Sequence, residues 1–134
     1  MLVLDASATL AWAYADEAGR PDKTISYVLA NEAWVPAHWI LEVTNTLLVG
    51  ERRGRLTAGQ WQKFLLEVAT LPIHVDPETI IRSWGVIPAL AVEYALTTYD
   101  AAYLELALRL DVPLATLDRG LAHAARAAGV TLFE

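Results

Sequence analysis

The sequence contains no cysteine, which excludes a disulfide framework, a thiolate metal site and a thiol nucleophile. Lysine is nearly as scarce, with Lys23 and Lys63 alone. Ten basic residues stand against 16 acidic ones, a net charge of −6, so there is no general basic excess to hold nucleic acid by charge. That objection weakens where carboxylates ligate divalent ions, which reverse the local field where a phosphate must sit. No apolar run approaches the roughly 18 residues of a membrane span. The start carries no basic segment and is interrupted by Asp5, so no signal peptide is expected. These absences lead us to expect a soluble, cytoplasmic protein with no membrane partner. What is abundant is apolar. At 55% hydrophobic and 19% charged, the chain is expected to form one domain, 1–134, with a sizeable core.

Met1–Leu4 is too short for a helix and suits a buried strand ending at Asp5. Ser7 is expected to cap a helix over roughly Ala8–Tyr14, which Asp16, Glu17 and Gly19 break. Pro21 can open a second helix to about Ala30. Trp34–Val35 reads as a second strand stopped by Pro36, and Trp39–Arg53 as a helix with Ile40, Val43, Leu47 and Leu48 on one face. Gly54 then acts as a stop, and Thr57 caps the next helix. Ile73–Val75 is a third strand, after which Asp76-Pro77-Glu78 opens two helical pieces divided around Gly85 and Pro88. Asp100–Leu110 reads as a helix, Pro113–Thr116 as a strand, Leu121–Ala128 as a helix ended by Gly129, and Val130–Phe133 as a closing strand. Short apolar strands alternating with helices predict an α/β fold with a parallel sheet covered on both faces.

In such sheets ligands bind beyond the carboxyl ends of the strands, near the point where strand order reverses. Asp5 ends the first strand and Ser7 follows two residues later; Thr116 and Asp118 repeat the pairing after the fourth. Asp100 opens a helix, whose dipole favours the ionised form and so a metal ligand over a general acid. Glu42 lies among Trp39, Ile40, Leu41 and Val43, with Asn45 three residues on and on the same face. A charge in that setting is costly unless something pairs with it. Each has a plainer reading, because Asp is a preferred helix cap and Glu42 suits a solvated helix face. Taken together, hard oxygen ligands without His or Cys suit Mg²⁺ or Mn²⁺, which can activate water and stabilise a phosphoryl displacement.

At these residues the sequence resembles the PIN-domain nucleases, specifically the VapC-type toxins of toxin–antitoxin pairs. Val3-Leu4-Asp5-Ala6-Ser7 matches the first acidic motif of that family. Pro36 followed by Glu42-Val43-Thr44-Asn45-Thr46-Leu47 matches the second, and Thr98 to Ala107, carrying Asp100, the third and most specific. Thr116-Leu117-Asp118-Arg119-Gly120-Leu121 matches the fourth. The resemblance implies a three-layer α/β/α sandwich with a mostly parallel sheet of about five strands. It implies that Asp5, Glu42, Asp100 and Asp118 surround one or two Mg²⁺ or Mn²⁺ ions, and that RNA is cut endonucleolytically by a metal-activated water. Ser7, Asn45 and Thr116 would donate the hydrogen bonds that fix those carboxylates. A cognate antitoxin would bind and inhibit, and a homodimer is expected.

Arg119, beside Asp118, is the candidate for contacting substrate phosphate; Arg52, Arg53 and Arg55 read instead as favourable charge at a helix C-terminus. His38, His74 and His123 lack metal-ligand spacing and read as structural or surface residues. Trp12, Trp34, Trp39, Trp61 and Trp84 read mostly as core, although Trp12 and Trp39 also suit a groove for an antitoxin segment. A phosphoacceptor receiver domain is disfavoured because both lysines fall in predicted helices. A dinucleotide-binding domain would need a glycine-rich loop after the first strand. The serious rival is a PIN-like module that binds a partner without cleaving.

Overall fold

A computed structural model describes residues 1–14 and 22–134. The strands β1 (Leu2–Leu4), β2 (Ala33–Val35), β3 (Ile73–Val75) and β4 (Leu114–Ala115) form one sheet in the order β3-β2-β1-β4. Every pairing is parallel: Leu2 lies opposite Ala33, Ala33 opposite Ile73, and Val3 opposite Leu114. The expected closing strand at Val130–Phe133 shrinks to a single bridge between Leu114 and Leu132. With β4 only two residues long, its backbone has groups for one such pairing: Leu114 N–H donates to Thr131 and its carbonyl accepts from Phe133.

The helices are α1 (Ala6–Ala13), α2 (Lys23–Asn31), α3 (Trp39–Arg52), α4 (Ala58–Val68), α5 (Thr79–Arg82), α6 (Val86–Tyr94), α7 (Thr98–Leu110) and α8 (Arg119–Ala127). Progress along the sheet reverses after β3. Right-handed crossovers then put α1 to α4 over one face and α5 to α8 over the other. The packing agrees, with α1 on α3, α3 on α4, and both α6 and α8 on α7. The breaks expected at Asp16, Glu17 and Gly19, and the opening at Pro21, lie outside the described residues.

Two helix starts differ from expectation in ways that matter for the site. Asp5, not Ser7, caps α1, its carboxylate accepting from Ala8 N–H at 2.8 Å. The chain turns directly from strand to helix there, so the last residue of the strand run is already the cap. The seventh helix begins at Thr98 rather than Asp100, because Thr97 caps it by accepting from Asp100 N–H at 3.1 Å. Within α7, Ala101 to Ala107 are all buried, as expected for a helix enclosed by β1, β4, α6 and α8. Its alanines let those neighbours approach closely.

Candidate active site

Strand order reverses between β1 and β4, and the carboxyl ends of these two strands lie side by side, joined by Asp5 N–H to Ala115 C=O at 3.1 Å. Side chains tie the ends together. Ser7 donates to Asp5 Oδ1 at 2.7 Å while accepting from Leu117 N–H at 2.9 Å. The Thr116 hydroxyl donates to Asp5 Oδ2 and accepts from Asp118 N–H at 3.0 Å. Asp118 in turn caps α8 through Leu121 N–H at 2.8 Å. Both halves of the repeated strand-end pattern thus meet on one carboxylate, Asp5, which is only 4% exposed.

Glu42 and Asp100 come from the first turns of α3 and α7. Two residues that sequence reasoning passed over hold Glu42: Tyr103 donates to its Oε1 at 2.7 Å, and His38 Nε2 lies 3.1 Å from the same oxygen. His38 Nε2 is also 3.0 Å from the Tyr99 carbonyl. Facing two acceptors, Nε2 must carry the hydrogen. The signals were helical spacing, with His38 four residues before Glu42 and Tyr103 three after Asp100.

Burial pushes the Asp5 carboxyl above its ordinary range; Thr116, Ala8 and Ser7 pull it back, and Asp118 pushes it up again. For Glu42 burial also acts upward, but the bonds from His38 and Tyr103 win and hold it below the usual carboxylate value. Asp100 corrects the expectation of a helix-lowered pKa. Burial, then repulsion from Asp118, Glu42 and Asp5, raises it, and His38 offsets only part. Four carboxylates from four elements therefore share one field. Among the described residues none of them is paired with lysine or arginine; His38, bonded to Glu42, is the one basic side chain in contact with them.

The family model for the PIN domain matches residues 2–127. The chain belongs to the PIN-domain family. It is 33% identical over 127 residues to Ribonuclease VapC3 of Pyrobaculum aerophilum, covering 91% of this chain and 92% of that protein. It also resembles the crystal structure of PAE2754 from Pyrobaculum aerophilum, with a TM-score of 0.69 and 25% identity over 92% of this chain and 83% of the other.

In this PIN domain the remaining expected residues are distributed unevenly. Thr116 and Ser7 hold Asp5, but Asn45 is exposed and bonds none of the four carboxylates among the described residues. Arg119 is exposed on the first turn of α8, beside Asp118. Trp39 is 5% exposed, with its indole N–H on Thr9 Oγ1 at 3.0 Å, whereas Trp84 is 85% exposed and so departs from the expected core role. Trp12 lines two hollows of about 270 and 210 Å³ bordered by α1 and α4, the second also by α2. No helix among the described residues is long and apolar enough to cross a membrane.

Proposed function

We propose that this PIN-domain protein is a divalent-metal-dependent endoribonuclease acting as the toxin of a toxin–antitoxin pair. The observation that carries this is the field shared by Asp5, Glu42, Asp100 and Asp118, in which the carboxylates repel one another without lysine or arginine among the described residues. Such a cluster is unfavourable unless a cation completes it. Its oxygen-only donor set fits one or two Mg²⁺ or Mn²⁺ ions. Bound there, the ion would supply Lewis-acid stabilisation of a phosphoryl displacement and make water a better nucleophile. The chain's own contribution is to fix the donors. Ser7 and Thr116 set the Asp5 carboxylate. His38 and Tyr103 both engage Glu42 Oε1, keeping Glu42 ionised and leaving Oε2 to face the ion or to orient a water by hydrogen bonding. Arg119 is the group to meet a substrate phosphate. The kinship with Ribonuclease VapC3 supports RNA as the substrate, a cognate antitoxin as partner, and the cytoplasm as location. Exposed Ile80 and Ile81 on α5, Trp84 in the turn that follows and Val92 on α6 support a homodimer.

One observation favours the rival reading of a module that binds without cleaving. Among the described residues, no three His, Asp or Glu side chains are gathered closely enough to hold a metal as they stand. The deciding experiment is incubation of antitoxin-free protein with total cellular RNA in Mg²⁺ or Mn²⁺, beside a chelator control and Asp100→Asn. Discrete fragments that vanish with chelator and with Asp100→Asn are expected. Folded protein that binds Mn²⁺ yet leaves RNA intact would establish the binding module instead.

A further inference from the structure

Beside the acidic cluster lies a cavity of about 200 Å³, enclosed by the start of α3, by α5 and α6, and by the first turn of α7. Its inner surface includes Ile87 and Ala102, which are 2% and 4% exposed. Two of its lining residues also border the proposed catalytic site. His38 is bonded to Glu42, and Tyr99 immediately precedes Asp100. The Tyr99 ring sits 5.8 Å from His38, tilted by 48°, and Tyr99 is 63% exposed, so it presents free aromatic surface at the cavity.

The polar groups divide into engaged and free. Thr79 accepts from Ala37 N–H at 3.0 Å and Ser83 donates to the Thr79 carbonyl at 2.7 Å, so both hydroxyls are committed. Thr98, itself exposed, lines the same cavity, and its hydroxyl has no hydrogen-bond partner among the described residues. An apolar floor, an open aromatic ring and two hydroxyls uncommitted among the described residues, those of Thr98 and Tyr99, make a site for a flat, partly polar group, not for a second phosphate.

Single-stranded RNA offers such a group one nucleotide from any phosphate, and its unstacked bases are typically held on aromatic side chains and read at their edges. We infer that this cavity receives an unstacked nucleobase beside the scissile phosphate, with Tyr99 as its stacking surface and Thr98 at its edge. The inference rests on the nuclease reading above and extends it to how substrate is chosen.

The test uses an oligoribonucleotide spanning a mapped cleavage site, together with versions made abasic at each flanking position in turn. Cleavage of all of them is measured with wild type, Tyr99→Ala and Tyr99→Phe. At one flanking position the abasic substitution should lower wild-type kcat/KM about tenfold, the worth of one stacked base. Tyr99→Ala should lose about the same on the intact RNA and nothing further on that abasic RNA, while Tyr99→Phe, which keeps the ring, stays near wild type. Calorimetric Mn²⁺ affinity should be equal in all three proteins. Equal discrimination against the abasic RNA by wild type and Tyr99→Ala overturns the inference, as does a loss of Mn²⁺ affinity that accounts for the lost cleavage. Wild-type protein that cleaves none of these RNAs overturns the nuclease reading, and this one with it.

Discussion

Asp5 and Asp76 each follow a parallel strand, β1 and β3, and are buried alike at 4% and 5% exposure. Their surroundings diverge from there. Arg109 bonds Asp76, and also reaches Glu105 at 2.8 Å and Glu78 at 3.2 Å. Arg82 meets Glu78 at 3.0 Å and Glu105 at 3.3 Å. Hydrogen bonding to Glu105 first, and then to Asp76, raises the Arg109 pKa still further despite its partial burial. Around Asp5 no described residue supplies such an arginine, and the Asp100 carboxyl is pushed upward by burial and then by its acidic neighbours. Both groups draw on α7, through Glu105 and Asp100. Strand-end position and burial are therefore common to the two, and neutralisation separates them. The paired group joins α5 and α7 to the end of β3. The other has no lysine or arginine partner among the described residues, the place that a divalent cation would take under the proposed function.

The largest effect should come from breaking the paired group. Arg109→Met keeps the alkyl stem but leaves Asp76 buried without its cation and Glu105 with Arg82 alone, which should cost about 3–5 kcal/mol of stability in chemical denaturation. A cost below about 1 kcal/mol, the range of a surface pair, would erase the distinction between the two clusters. Asp100→Asn should do the opposite. Stability is retained, while kcat/KM for RNA cleavage falls by about a thousandfold, the scale of losing several kcal/mol of charge stabilisation in the transition state. Calorimetry should show weaker Mn²⁺ binding in the same variant.

Much of this was legible in local pattern. Apolar runs such as Leu2 to Leu4, each followed by a capping residue, mark strand and helix starts. The repeated pairing of a hydroxyl with Asp after β1 and β4 locates the reversal of strand order. What local pattern cannot carry is partnership between distant segments. Glu105 reads as one acid in an apolar helix, and its i,i+4 neighbour Arg109 was the available clue, but Asp76 and Arg82 arrive from elsewhere in the chain. His38 lacks metal-ligand spacing and reads as structural, but that it holds Glu42 in particular shows only in the folded contact. Ser7 and Asp5 are both good caps, and only the turn of the chain decides between them. Trp84 has apolar residues nearby in sequence yet faces solvent in the turn between α5 and α6.

A sharper test of the unpaired group is Tyr103→Phe, which removes one donor from Glu42 without removing a carboxylate. Cleavage should fall about tenfold, within the range for residues that orient a metal ligand. Glu42 is held below its ordinary pKa partly by this bond, so its loss raises the carboxyl toward the usual value. The acid limb of the pH–rate profile should move to higher pH. An unmoved limb with reduced rate would mean that Tyr103 acts only through packing.

The smallest effect is on stability without metal, and its sign is informative. Burial, with repulsion from Asp118, Glu42 and Asp5, raises the folded-state pKa of Asp100 above the ordinary 3.8. The folded protein then binds this proton more tightly than the unfolded chain does. The associated stability is complete below the unfolded value and is lost as pH rises through the folded one. At pH 7 the ionised Asp100 is therefore a burden that Asp100→Asn relieves. Metal-free Asp100→Asn should melt slightly above metal-free wild type at pH 7, and the gap should close as pH falls below the ordinary value of 3.8. Saturating Mn²⁺ should reverse the order. A ligand at a hundred times its Kd stabilises the protein that binds it by about 2.7 kcal/mol, and the variant forgoes much of that. Identical melting at pH 7 with and without Mn²⁺ would show that Asp100 neither feels the other three carboxylates nor shares an ion with them.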